Sequence, residues 1–306
     1  MRISERPVVA AAAGAGTIAA SATLVRLADV APVTAAVFRC LYALPVLYLL
    51  TKIEDRRLGG RSRHERLLAV VAGIFFAIDL VLWHHSIEYV GAGIATVLGN
   101  LQVVVVGFLA WWLLHERPSM RLIVAVPVVL FGVVLISGAI GSGAYGSNPA
   151  LGAVFGIGTS IAYAGFLLVL REGSRDLRRV AGPLFDATAT AVVGCVAMAP
   201  IAGGVDLVPH WPSHGWLILL ALSSQVLGWL LIATSLPRVP AVLTSVILLL
   251  QPVASMILSA IVLDERPSAL QVTGAVVVLA GVVFVASARR ARPTPIEPAA
   301  SARIGA

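Results

Sequence analysis

Apolar runs long enough to cross a bilayer follow one another through almost the whole chain, each ending at arginines or at a proline or glycine cluster. No water reaches backbone N–H and C=O groups in the hydrocarbon core, so a run of roughly 20 such residues must close its hydrogen bonds internally, as a helix. Ten helices are predicted, over residues 8–27, 32–51, 67–86, 92–114, 120–140, 150–170, 183–203, 215–235, 240–263 and 268–288. The apolar and polar alternation of a membrane β-barrel is absent. The expected fold class is all-α, integral to the membrane. Of 306 residues 59% are apolar and only 12% charged, and what the ten runs leave over is too little for a soluble catalytic domain. The first run is too long for a signal-peptide core and more runs follow it, so it is read as a retained helix.

The formal net charge of +7 does not gather on one basic face. The arginines sit between the runs, so nucleic acid is not an expected partner and topology explains the charge better. With a cytoplasmic N-terminus, 19 of the 22 Lys and Arg fall on inner segments, and only Arg26, Arg39 and Arg266 lie at outer ends. That bias predicts a multi-pass protein of the plasma (inner) membrane with both termini cytoplasmic. One span more or fewer would scramble it. The tail at 289–306, rich in proline and without apolar periodicity, is expected to be disordered and cytoplasmic. Cys40 and Cys195 lie inside apolar runs without metal-ligand spacing and are read as small packed side chains.

The two halves match at a constant offset of 149 residues, most clearly where LQVVVVGFLAWWLLHERPS from Leu101 meets LQPVASMILSAIVLDERPS from Leu250. Gln102/Gln251, Glu116/Glu265, Arg117/Arg266, Pro118/Pro267 and Ser119/Ser268 are identical, and Gly132-Val133-Val134 follows in step with Gly281-Val282-Val283. General richness in Leu and Val does not produce that polar string. Each repeat holds five helices, an odd number, so the second copy at 146–288 is inserted inverted relative to the first at 1–145. Two similar bundles of opposed orientation can exchange conformations, opening a midplane site to one side and then the other.

Further residues fit a known pattern. Pro32 precedes Arg39 at the start of helix 2, Gly91-Ala92-Gly93 leads into helix 4, Glu116 and Glu265 close helices 4 and 9, and Gln251-Pro252 sits in helix 9. With the repeat and the charge bias, the chain resembles the drug/metabolite transporter superfamily, specifically its EamA-like members with two five-helix halves, over roughly residues 8–288. The resemblance implies a solute carrier, often an exporter of amino acids, metabolites or toxic organic compounds. It also implies a cavity lined by helices 1, 3, 4, 6, 8 and 9. One departure is Val103 where the second half has Pro252, which predicts a stronger bend in helix 9 than in helix 4.

Polar side chains at bilayer depth are the candidate binding residues, since a central Asp costs about 2.5 to 3.5 kcal/mol on insertion scales. Asp79 lies near the middle of helix 3 with Phe75, Phe76 and Trp83 three or four residues away, a pattern suited to an amine or cation, to a titrating carboxyl, or to a structural Asp. Gln102, Gln225 and Gln251 fall near their span centres, where an amide serves either a polar solute or a neighbouring helix. Asn100 is about 200° around the helix from Gln102, so only one of them can face a narrow cavity; the repeated Gln102 is preferred. Arg39 suits a carboxylate, or else snorkels or pairs with Asp29 or Glu88. Trp83 and Trp229 are path-lining or interfacial, and His84 and His85 are titrating or interfacial. Asp186 is expected in a structural salt bridge with the Arg175 to Arg179 loop, and Gly152 and Gly156 in close helix packing.

The function expected is secondary transport, efflux of a small organic solute by alternating access around a midplane cavity. Its partners would be the solute, membrane lipids and, as a candidate coupling ion, the proton. No P-loop, H-E-x-x-H or paired-Asp motif is present, so neither an enzyme nor a cofactor is expected, and a solute gradient, proton gradient or voltage would supply the drive. A non-transporting scaffold or sensor and a membrane-embedded enzyme are the alternatives.

Overall fold

A computed structural model describes residues 7–102, 104–105, 120–136, 140, 144–173, 176, 178–235 and 250–286, and every regular element among them is helical. Among the described residues six helical stretches are long and apolar enough to cross a membrane: Val9–Ala28, Pro32–Leu58, Arg63–Val90, Pro149–Leu170, Ala181–Ile201 and Ser213–Thr234. Shorter apolar helices cover Ile123–Ile136, Gln251–Val262 and Ala269–Gly281, inside three more of the runs. The protein is an all-α, multi-pass membrane protein. The later part of predicted helix 4, with Glu116, the first part of helix 9 and the 289–306 tail lie outside the described residues.

In chain order the helices are α1 (Pro7–Ala19), α2 (Ser21–Ala28), α3 (Pro32–Leu41), α4 (Leu44–Leu58), α5 (Arg63–Val90), α6 (Ala92–Gly99), α7 (Met120–Ile136), α8 (Pro149–Gly173), α9 (Ala181–Met198), α10 (Ser213–Leu220), α11 (Trp229–Ser235), α12 (Leu250–Val262) and α13 (Ala269–Ala286). Between α10 and α11 the chain winds as a π-helix over Ala221–Gly228. Two ends lie well beyond the apolar runs. α4 continues through Lys52 to Arg57, residues that favour helix in the aqueous interface, and stops at Gly59, whose φ of 81° lies in the left-handed region. α5 starts four residues before its run, because Ser62 and Glu65 form a capping box: Glu65 N–H donates to Ser62 Oγ at 3.2 Å, and Ser62 N–H to Glu65 Oε2 at 2.8 Å.

α5 is the central element and packs along both α8 and α9. At its crossing with α9, a Cβ on Gly73 would lie 2.5 Å from both the Ala187 carbonyl oxygen and Thr190 Cβ, so the two backbones come together only because that side chain is absent. Gly152 and Gly156 bring α8 against Val90 and Leu98 in the same way. α6 packs on α12, α7 on α13, and α1 on the π-helical turn and α11. The free thiols of Cys40 and Cys195 are buried between these helices.

Carboxylates tie the chain together at both ends of α5. Near its start, Glu54 accepts backbone N–H bonds from Val180, Ala181 and Gly182 at 2.9, 2.8 and 2.9 Å, satisfying the open N-terminus of α9. Asp186 pairs with Arg61 at 2.7 Å; of the loop arginines expected to hold it, Arg178 pairs with Asp176, Arg179 turns to Asp55 and to the Leu58 and Gly59 carbonyls that end α4, and Arg175 lies outside the described residues. Just beyond the other end of α5, buried Glu265 accepts from Ala92 N–H at 2.8 Å and Gly93 N–H at 3.3 Å, capping α6. Burial, with the Glu265 charge beside it, pushes the phenol of Tyr145 in the neighbouring loop above its usual range.

Candidate functional site

Between these ties, α2, α3, α5, α6, α8, α11, α12 and the end of α1 surround a cavity of about 560 Å³, open space at its mouth included. One wall is aromatic. Phe76 of α5 stacks on the fully buried Phe166 of α8 with ring centroids 4.6 Å apart, and Trp229 meets Phe166 edge-on at 5.3 Å. Phe76, Tyr163 and Trp229 present the inner surface of this cluster to the cavity. Phe75, one residue from Phe76, packs on Gly165 of α8 and does not line the cavity.

Arg39 and Asp79 supply the ionisable groups. Arg39, 4% exposed, lines the cavity from α3 with its guanidinium carbon 5.6 Å from the Trp83 ring centroid. Its Nη2 donates to Gln225 Oε1 over a long 3.4 Å, and its Nε has no partner. Asp79, 7% exposed, lines the same cavity one helical turn from Trp83 and forms no ion pair or hydrogen bond among the described residues. A guanidinium and a carboxyl therefore face one cavity without a hydrogen bond between them. In so low a dielectric, that arrangement favours a guest offering both an acceptor and a donor.

Of the residues singled out in the sequence, Arg39, Phe76, Asp79, Trp83, Trp229 and Gln251 surround this cavity together. Gln225 is fully buried behind Arg39, held by Arg39 and by its own Nε2 bond to Thr188 Oγ1 at 3.2 Å; the π-helical turn carries it there. Gln102 does not line the cavity: it is buried with its Oε1 unpartnered, while Asn100 lines it and donates from Nδ2 to the Thr96 carbonyl at 2.8 Å. Gln102, two residues on from Asn100, lies about 200° around from it and so off the face shared by Thr96 and Asn100. Pairing of Arg39 with Asp29 or Glu88 is not formed either. His84 binds the Leu80 carbonyl and His85 the Ala202 carbonyl, the latter at 3.2 Å, and neither lines the cavity. Ser21, Thr96, Thr159 and Tyr163 line it without having been singled out. Their only signal is helical spacing, Thr96 with Asn100 and Thr159 with Tyr163, each four residues apart on one face.

Among the described residues, no group of three His, Cys, Asp or Glu is placed to hold a metal ion. The cavity lies between spanning helices and is lined by aliphatic and aromatic surface with a few polar side chains set into it. The family profile of EamA-like transporters matches residues 7–138 and again 150–287. The chain belongs to that family, within the drug/metabolite transporter superfamily, and is a membrane transporter and not an enzyme. Among solved structures, one described only as a crystal structure of a protein is similar with a TM-score of 0.59 and 14% identity, covering 91% of this chain and 94% of the other, a likeness of fold. No curated protein matches the sequence.

Proposed function

We propose that this transporter exports a small organic solute by alternating access around the Arg39–Asp79 cavity. Ten helices would form two inverted repeats, 1–145 and 146–288, followed by a cytoplasmic tail at 289–306, with both termini cytoplasmic in the plasma membrane. Two observations support the repeat. The family profile matches twice, over 7–138 and 150–287. The crossing of α7 and α13 is also reciprocal: Gly132 abuts Val278, and Gly281 abuts Val129, each pair being the other shifted by the 149-residue offset.

The observation that carries the proposal is the unpaired Arg39 and Asp79 in one cavity. Gln251, Trp83 and Asn100 complete the contact surface, Gln225 fixes Arg39 from behind, and Gln102 contributes through helix packing. Asp79, with no protein partner, is also the group placed to exchange a proton against the solute. The drive is then a solute or proton gradient, since the sequence carries no nucleotide-binding loop.

Proteoliposomes test this directly. Flux of a solute found by ligand-stabilisation screening should fall by at least roughly tenfold in Arg39→Gln and in Asp79→Asn, the loss of one charge-assisted contact apiece. Flux unchanged in both variants would remove the cavity from the mechanism. Proton coupling is read in the same vesicles by imposing a pH gradient, which should drive uptake in the wild type and lose its effect in Asp79→Asn.

A further inference from the structure

Gly99 faces the cavity from the last turn of α6, on the side shared by Thr96 and Asn100. Most glycines inside the helices are explained by contact: a Cβ on Gly93, Gly152, Gly156 or Gly165 would come within 2.8, 2.7, 2.6 and 2.6 Å of a neighbour. Gly99 is not. A Cβ there would meet Thr159 Cγ2 at 3.6 Å and Trp83 Cδ1 at 3.9 Å, both ordinary contacts. Its backbone is not among the left-handed positions. Glycine is also a poorer helix former than alanine, so neither packing, nor conformation, nor propensity asks for it at this point.

What the missing side chain leaves is room, and that room belongs to the cavity. Its two nearest walls are carbon, an indole edge and a methyl group, while the ionisable groups are those of Arg39 and Asp79. We infer that Gly99 is a specificity-determining residue: the apolar group of the solute lies between Trp83 and Thr159 over the bare backbone of Gly99, and this slot limits its bulk. The inference rests on the transport reading above and adds to it the part of the cavity that measures size.

The test uses full-length protein, in detergent and in proteoliposomes, with three probe series whose apolar groups grow from methyl through isobutyl and benzyl to indolylmethyl. The zwitterions are alanine, leucine, phenylalanine and tryptophan. The amines are ethylamine, isoamylamine, phenethylamine and tryptamine, and the acids are propionate, 4-methylpentanoate, 3-phenylpropionate and 3-indolepropionate. In the series that wild-type protein handles, Gly99→Val should cut uptake and thermal stabilisation by the largest accepted member roughly tenfold relative to the smallest, with Gly99→Ala in between. Gly99→Ala, whose added atom clashes with nothing among the described residues, decides the matter if the valine variant does not fold. Uptake with an unchanged large-to-small ratio overturns the slot alone. Stabilisation without uptake in the wild type overturns transport alone, because the stabilisation ratio still reads the slot. Neither uptake nor stabilisation by any probe overturns both.

Discussion

Arg39 donates one hydrogen bond, 3.4 Å long, and leaves its Nε without a partner although the residue is 4% exposed. An underpaired guanidinium is costly in a membrane interior, and Gln225 is the acceptor that offsets part of the cost. Gln225→Leu keeps comparable volume and removes that acceptor. It should lower stability by about 1 to 3 kcal/mol, read as an earlier melting transition in detergent, while Thr188→Ala, which frees only the far side of the amide, should cost less. An equal loss in both would mean that packing, not the Arg39 contact, is what Gln225 provides. At this scale the sequence was informative wherever charge met an apolar run: Arg39, Asp79, Trp83 and Gln251 stand out by composition alone, and the structure places them around one cavity. Which of Gln102 and Asn100 faces the cavity was not legible, because it depends on how α6 is rotated against its neighbours. The Glu54 contacts were invisible for another reason, since their partners lie 126 to 128 residues away.

Helices in a bilayer gain nothing from burying one apolar face against another, so their association depends on close approach and van der Waals fit. Gly73 and Gly16 separate those terms from helix propensity. A methyl group on Gly73 would strike the α9 backbone, whereas one on Gly16 of α1 meets nothing within 4 Å. Gly73→Ala should therefore destabilise by about 1 to 3 kcal/mol through overpacking. Gly16→Ala should be neutral or stabilise by up to about 1 kcal/mol, since it only improves propensity. The comparison is a pair of thermal melts, and a fall of the same size in both would show that the α5–α9 crossing is looser than its geometry. The placing of the helices was legible from hydropathy, but their ends were not: apolar runs mark the hydrocarbon, whereas Gly59 and the Ser62–Glu65 box set where α4 stops and α5 begins. Nor does any residue in ALSSQVLG announce a π-helix, although Gln225 sits on that wider turn.

Alternating access requires the two repeats to part at one face while closing at the other, so contacts across them at the end of α5 cannot all persist through a transport cycle. At that end α6 lies against α12: Gly93 abuts Met256 and Ser259, Glu265 holds the Ala92 and Gly93 amides, and the Thr96 and Ser255 hydroxyls are 3.1 Å apart. Thiols placed at those two positions are close enough to be oxidised to a disulfide. In a background with Cys40 and Cys195 replaced by alanine, Thr96→Cys with Ser255→Cys should carry solute while reduced, lose flux on oxidation, and regain it with dithiothreitol. Thr96 borders the cavity, so the variant's own reduced state is the reference and only the oxidised-to-reduced ratio is interpreted. Solute-induced stabilisation should persist in the oxidised protein, because the cross-link fixes the repeats without filling the cavity. Flux that continues through the locked protein would mean that α6 and α12 move as one body, and that the carrier opens along some line other than the boundary between its two repeats.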